Sequence, residues 1–408
     1  MKRLLPFALH QLSNVASGVG NGVVLIVIPW LVLDRTGSAL AAGTAAAMSA
    51  LPGIFVSPLV GVVIDRLGRR QVSIGADIFS AISVLLFPII DEVGNLTFGV
   101  ILALAVLGAT FDPAGYTARK ALIPDSAVAS GININSANGM HEGFFGAGFV
   151  IGPALGAVLI STIGAVHAMI AAGAMFGVAA VSIAFMRITD SGQVARITSA
   201  NRESFMQSMV EGLRVLRRDR ALFTMTIMIM LLSATYMPTE TIILPVHFES
   251  IGNASGLGIT MSAMAVGAMF SAFSFGWIAK RMSRYQILLT IVVGISIGVV
   301  PMSSLPSTVV MVTAAFFFGA AWGPFNPLWN TLVQARIPAD AQGRVYGIQM
   351  SLLYASVPIG QLITGVAIEQ FGLRPTYHAI AATFVVFTLV IFALPVLREL
   401  NSDRITTT

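Results

Sequence analysis

Along the chain, apolar residues run in blocks of twenty or more, and short clusters of glycine, proline and charged residues separate the blocks. A helix rises about 1.5 Å per residue, so about 20 apolar residues match the hydrocarbon thickness of a bilayer. The pattern predicts helices at 7–33, 39–63, 71–90, 96–117, 131–160 and 163–187, then at 221–247, 255–279, 285–303, 307–331, 343–368 and 375–397. One polar stretch is long, Ile188–Arg220, and it carries Arg196, Arg202, Arg214, Arg217, Arg218 and Arg220. Within it Phe205, Met206, Met209, Val210, Leu213 and Leu216 recur at helical spacing between charged residues. That spacing predicts a helix lying on a membrane surface, with a solvated linker as the plainer alternative. The expected organisation is a six-helix bundle over 1–187, a linker with its amphipathic helix over 188–220, and a second six-helix bundle with a short tail over 221–408.

Composition points the same way. With 56% hydrophobic and 10% charged residues and a mean hydropathy of +0.86, the chain lacks the polar surface of a soluble globule. The fold class expected is all-α integral membrane, with twelve helices in two pseudo-symmetric bundles of six; 408 residues then leave 34 for each helix and its loop. There is no cysteine, which removes disulfides, thiolate metal sites and cysteine nucleophiles. Met1-Lys2-Arg3 precedes an apolar run too long for a signal peptide, so it reads as the start of a retained first helix.

Charge then sets topology. Positive residues near helix ends stay on the cytoplasmic side. With the N-terminus inside, only Arg35 and Arg374 of the 23 Lys and Arg fall outside. A miscount by one helix would scatter this pattern. The expectation is therefore a multi-pass protein of the cytoplasmic (inner) membrane with both termini in the cytoplasm. The sequence pI near 9.9 follows from that topology and is no sign of nucleic-acid binding, which uses a basic face on a soluble domain.

The chain repeats itself. Gly61–Arg70, GVVIDRLGRR, has a degraded echo 215 positions on in Gly276–Tyr285, GWIAKRMSRY, where Gly61, Arg66 and Arg69 map to Gly276, Arg281 and Arg284. Phe111-Asp112-Pro113 with Ile123-Pro124 recurs at an offset of 214 as Phe325-Asn326-Pro327 with Ile337-Pro338. Ile151-Gly152 is echoed by Ile359-Gly360. Such repeats predict two similar halves with a site near the bilayer midplane.

These residues carry a family likeness over essentially the whole length: the chain resembles a twelve-helix major facilitator superfamily transporter. Gly61-x-x-x-Asp65-Arg66-x-Gly68-Arg69-Arg70 matches the signature loop between helices two and three. Gly148-x-x-x-Gly152-Pro153-x-x-Gly156 resembles the antiporter signature of proton-driven exporters, with Ala157 where that pattern often has a further glycine. Phe111–Ala114, Ala121–Asp125 and Asp34–Ser38 are similar to the drug:proton antiporter-like branch that holds macrolide-efflux, Tap-like multidrug and enterobactin-export proteins.

The resemblance implies that the signature loop is a gating latch, closing the cytoplasmic side and loosening when a charge is neutralised. Asp65 can accept from Arg69 or from a helix start near Arg344, where negative charge is favoured. Arg66 and Arg70 have the alternative of plain positive-inside anchors. The second half has Lys280 where the first has Asp65, so an asymmetric latch is expected. Gly61 would let the second and eleventh helices approach closely. Gly148, Gly152 and Gly156 fall four apart on one face and Pro153 bends the helix; the resemblance implies a sealed interface that favours export, and ordinary small-residue packing is the alternative.

Ionisable groups inside hydrocarbon are functional candidates by default. Glu142 is the first candidate for proton coupling, then Glu240, which lies near Tyr236, Pro238 and Pro245 where the helix should be broken, then Asp112. For Asp112, pairing with Arg119, Lys120 or a signature-loop arginine is an equal alternative. His141 is expected as a hydrogen-bonding group in the substrate cavity, with proton relay as the alternative. Asp77 is expected to pair with a loop arginine and Asp34 with Arg35 at the surface. The remaining cavity candidates are Asn14 and Asn21, seven apart on helix one, and Tyr236, Trp322, Phe325, Asn326 and Trp329, an aromatic and amide set suited to flat or cationic molecules. Lipid contact or packing is the alternative for such aromatics.

The function expected is proton-coupled export of amphipathic organic compounds by alternating access, as in multidrug efflux. A dedicated exporter of a metabolite, siderophore or lysolipid is the nearest alternative, and a membrane sensor or assembly factor that moves nothing is the alternative from another class. The partners expected are a small amphipathic organic substrate, protons and the lipid bilayer, with the protein a monomer. No phosphate-cradling G-x-x-x-x-G-K-[ST], no H-E-x-x-H and no histidine cluster occurs. No catalytic residue, metal or cofactor is expected, and the chain does not read as an enzyme.

Overall fold

The computed structural model of the protein describes residues 4–94, 96–188, 205–337 and 339–402. Of the expected sites, the side chains of Gly61, Asp65 and Glu142 lie outside the described residues, as does Arg344.

Among the described residues twelve helical segments follow one another, eleven of them with a stretch long and apolar enough to cross a membrane and the second with a shorter apolar run, Ala39–Gly53. The first six are Leu5–Thr36, Ala39–Leu67, Arg69–Glu92, Phe98–Ala121, Ile134–Ile163 and Ala165–Phe185. The seventh runs over Arg220–Ser250, and the eighth and ninth are Ala254–Phe273 and Arg284–Ser303. The tenth is made of Thr308–Trp322 and Phe325–Arg336, and the last two are Ala339–Phe371 and Leu373–Ala393. Helix is what a bilayer demands, because it pairs every backbone group within its own segment. Large apolar side chains such as Phe55, Phe185, Phe270, Phe273 and Phe371 stand exposed, as a lipid-facing surface requires.

Local chemistry sets the ends. Ser38 caps the second span by accepting from the Ala41 N–H, and Ser283 with Gln286 forms a capping box on the ninth. Gly68, with φ of 93°, turns the chain between the second and third spans through a backbone region that side chains avoid.

The departures from the expected boundaries are local. The fourth span ends at Ala121 rather than at residue 117, and a short helix, Ile123–Ser130, follows where a loop was expected; Pro124 suits its first turn and Gly131 ends it. The fifth span begins at Ile134 rather than at residue 131, which places Glu142 about two turns inside it. The eighth span stops at Phe273, with one more helical turn at Phe275–Ile278. The tenth is interrupted around Gly323-Pro324, because proline withholds a backbone donor. The amphipathic stretch is helical over Phe205–Arg218 and packs on the eleventh span.

Two compact units result, Met1–Arg202 with Phe248–Gly258, and Glu203–His247 with Ile259–Thr408. In the first unit, the first span packs on the fifth and sixth, and the third on the fourth and sixth. In the second, the ninth span packs on the tenth and twelfth, and the seventh on the eleventh.

Candidate functional site

In the first unit, a polar cluster is built around Arg119. Its Nη1 donates to both carboxylate oxygens of Asp77, at 2.9 and 2.8 Å, and its Nη2 donates to Ser17 Oγ at 2.7 Å. Both members of the ion pair are 3% exposed, so neither is a surface anchor. This corrects two expectations. Arg119 is not a flanking cytoplasmic charge, and the partner of Asp77 comes from the fourth span rather than from a loop. The pairing satisfies both charges at once, which hydrocarbon demands.

Asp112 is the second carboxyl of this cluster. It is half-buried and accepts a long hydrogen bond from Ser80 Oγ at 3.4 Å, with Asn21 also beside it. Asp77 and Ser80 are three apart on the third span, and Ser17 and Asn21 are four apart on the first, so each helix offers neighbouring groups to the cluster. One arginine faces two aspartates, and its carboxylate bonds go to Asp77.

Towards the start of the first span the polar groups continue. The ring of His10 lies 2.8 Å from Ser126 Oγ through Nδ1, and its Nε2 donates to the Arg119 carbonyl at 2.9 Å. His141 is fully buried, with its ring centroid 5.3 Å from that of His10. Asn14 Nδ2 donates to the His141 carbonyl at 2.8 Å. His10, Ser17, Asp77, Arg119 and Ser126 were not among the candidate site residues; the signal that marks two of them is the spacing of His10, Asn14, Ser17 and Asn21 on the first span.

Glycines set the distance between the first and fifth spans. Gly148 lies against Gly18, Gly152 against Gly22, and Gly156 against Val23 and Ile26. A methyl group on Gly152 would stand 2.6 Å from Gly22 Cα. Pro153 sits inside the helix beside Gly152.

At the signature loop, Arg69 Nη1 pairs with Asp125 Oδ2 of the short helix at 3.3 Å. Arg70 donates to the carbonyls of Ile183 and Ala184 in the last turn of the sixth span. Arg66 is exposed. In the echo, Arg281 lies over the Trp277 ring at 4.0 Å, Arg284 donates to the Leu400 carbonyl at 3.4 Å, and the Tyr285 hydroxyl donates to the Ile391 carbonyl at 3.4 Å. Arg35 pairs with Asp91 at 2.7 Å, so its partner is not Asp34.

In the second unit, an aromatic stack stands beside a break in the seventh span. Arg220–Pro238 passes into a π-helical turn at Thr239–Ile243 and resumes at Leu244. Pro238 and Pro245 flank the turn, and such turns collect at functional sites. Glu240 sits on it, half-buried, with the Tyr236 hydroxyl facing its carboxyl. The Tyr236 ring stacks on Phe318 at 4.6 Å and on Trp322 at 4.5 Å, and Trp322 stacks on Phe325 at 5.0 Å. The structure thus brings Tyr236, Glu240, Trp322 and Phe325 together. Trp329 is buried with no partner for its indole N–H, and Asn326 is exposed. Thr241 accepts from Gln361 Nε2 at 3.2 Å.

A half-buried acid on a broken helix beside a stacked aromatic face can hold a flat cation, and a second acid beside a neutralised arginine can carry a proton. Among the described residues no group of His, Asp and Glu could hold a metal ion.

Comparison with known proteins gives this arrangement a context. Residues 12–360 match the family description "Major Facilitator Superfamily". The sequence is 32% identical to the multidrug efflux pump Tap of Mycolicibacterium fortuitum over 97% of both chains. It is 22% identical to macrolide efflux protein A of Streptococcus pyogenes over 95% of both. Among solved structures, the nucleoside transporter NupG superposes with a TM-score of 0.78 at 13% identity, covering 95% of this chain and 98% of that one.

Proposed function

This chain belongs to the Major Facilitator Superfamily, and from that membership we propose that it exports amphipathic organic compounds in exchange for protons, as a multidrug efflux pump working by alternating access. It is a multi-pass membrane transporter and not an enzyme.

The observation that carries the reading is Glu240 on its π-helical turn beside the stack of Tyr236, Trp322 and Phe325. Stacking accepts many flat molecules, and a carboxylate adds preference for a positive charge. The names of the Tap and macrolide-efflux relatives support efflux of drugs. The glycine-rich face of the fifth span supports an antiporter, as does the resemblance of its sequence to the antiporter signature.

In the proposed cycle, a carboxyl that is neutral in one facing state and ionised in the other ties proton entry to substrate exit. Glu142, Glu240 and Asp112 are the proposed coupling acids. The latch of Asp65, Arg66, Arg69 and Arg70, with Gly61 and Gly68 shaping it, closes the cytoplasmic side, and both termini lie in the cytoplasm. Asn14, Asn21, His141, Asn326 and Trp329 complete the proposed substrate contacts, and the protein acts as a monomer.

Ethidium efflux from vesicles under an imposed pH gradient tests the proposal. The parent is expected to move ethidium uphill, and Glu142→Gln, Glu240→Gln or Asp112→Asn to lose that dependence. Full gradient dependence in all three variants would discard the coupling assignment. An ethidium-blind parent that still moves another compound would point to a dedicated exporter.

A further inference from the structure

Proton-coupled export needs a route by which the proton leaves its carboxyl, and beside the proposed contacts Asn14, Asn21 and His141 the first unit holds His10, Gln11 and Ser17, which the proposed cycle has not used. His10, Asn14, Ser17 and Asn21 follow one another at spacings of four, three and four, so they form one stripe along the first span. The stripe covers about 16 Å at 1.5 Å per residue, about half the hydrocarbon thickness.

Its deep end meets Asp112 through Asn21, with Ser80 on the other side. Its middle is Ser17, which accepts from Arg119 and turns its hydroxyl proton to the Asp77 carboxylate. Its shallow end is His10, five positions after the first residue of the helix and in contact with Ser126. Along this shallow half, both polar atoms of the buried Gln11 amide, Asn14 Oδ1 and both ring nitrogens of the fully buried His141 have no protein partner. Buried polar atoms of this kind are satisfied by water, which takes about three hydrogen bonds in such sites.

We propose that the stripe is a proton-release path, in which a file of water held by Gln11, Asn14 and His141 carries the proton from Asp112 to His10 and out at the start of the first span. Each hop breaks one O–H or N–H bond and forms another, and Asp112 is left as the carboxylate. The path passes Arg119 as half of an ion pair, because Asp77 cancels its charge; a bare guanidinium there would repel the proton. Among the described residues, the charged groups around the shallow half are Arg119 and Lys120 of the fourth span, and Asp125 of the short helix, which Arg69 engages. The described titratable groups there are His10 and His141, whose rings lie side by side.

The inference rests on the coupling reading, and Gln11→Leu separates the two. Its amide makes no hydrogen bond to protein, so a purely structural residue could be replaced by leucine without losing a contact. The whole chain is reconstituted in vesicles with ethidium as the probe, and two rates are measured: uphill accumulation under a pH gradient, and gradient-free exchange of labelled for unlabelled ethidium. Gln11→Leu is expected to lower accumulation at least about tenfold and to leave exchange within about twofold, with Gln11→Asn recovering accumulation. Accumulation at the parent rate, or equal loss of both rates, overturns the path. A parent that exchanges ethidium but ignores the gradient overturns the coupling reading instead.

Discussion

Gly22 and Gly152 meet backbone to backbone: a methyl group on either would stand 2.8 or 2.6 Å from the other's Cα. In lipid there is no hydrophobic force between helices, so close approach of backbones supplies much of their attraction. The glycine spacing of the fifth span is therefore explained at its first level by the first span, which supplies Gly18 and Gly22 as the matching surface.

Adding a methyl group at this contact forces the two spans apart. Gly22→Ala and Gly152→Ala are each expected to cost about 1–3 kcal/mol, as overpacking does. Gly75→Ala is the control, since its methyl group meets nothing within 4 Å. Thermal unfolding in detergent distinguishes them: a melting temperature for Gly152→Ala equal to that of Gly75→Ala would contradict the contact.

Removing one member of the buried pair leaves the other uncompensated. Asp77→Asn is expected to destabilise by about 3–5 kcal/mol, and replacing both residues by apolar ones to cost much less. It should also turn Arg119 towards Asp112, holding that carboxyl ionised and ending gradient-driven export. Equal stability of Asp77→Asn and the double variant in the same unfolding assay would count against the pairing.

Trp322 contributes a stacked face that is only partly buried. Trp322→Ala is expected to weaken binding of a planar cation by about 0.5–1.5 kcal/mol, roughly two- to tenfold in Kd, with a smaller effect on a non-planar aliphatic cation. Fluorescence titration of ethidium against the purified variant reads this directly, and equal losses for both ligand shapes would argue for a packing role.

Arg336 ties three segments of the second unit. It holds Asp219 through Nε at 2.6 Å and Nη2 at 3.0 Å, and its Nη1 donates to the carbonyls of Glu399 and Ser402 at 2.8 and 2.6 Å. Asp219 also caps the seventh span by accepting from the Leu222 N–H. A lysine cannot reproduce this fork. Arg336→Lys is expected to lose about 1–3 kcal/mol and to expose Pro395–Asn401 to protease, with limited proteolysis as the measurement; a parent-like digestion pattern would refute the clasp.

Much of the architecture was legible in one dimension. Among the described residues, eleven of the twelve apolar blocks became helices long and apolar enough to cross a bilayer, and the second became a helix with a shorter apolar run, Ala39–Gly53, as length and hydropathy dictate. The echo of the signature loop has a counterpart in three dimensions: Arg70 and Tyr285, 215 positions apart, each donate to carbonyls in the last turn of their own half's final span. The break around Glu240 was signalled by Pro238 and Pro245, although the π-helical form it takes was not.

Arg119 and Arg336 show where reading along the chain stops. Both stand near helix ends; by sequence Arg336 is one more positive charge on the cytoplasmic side, and Arg119 is either that or a partner for Asp112. Hydropathy and spacing determine which segments are helical and which charges lie near an end, because those depend on neighbours along the chain. Whether water or a carboxylate meets such a charge depends on which helix packs beside it, and only the tertiary structure brought Asp77 to Arg119 and Asp219 to Arg336.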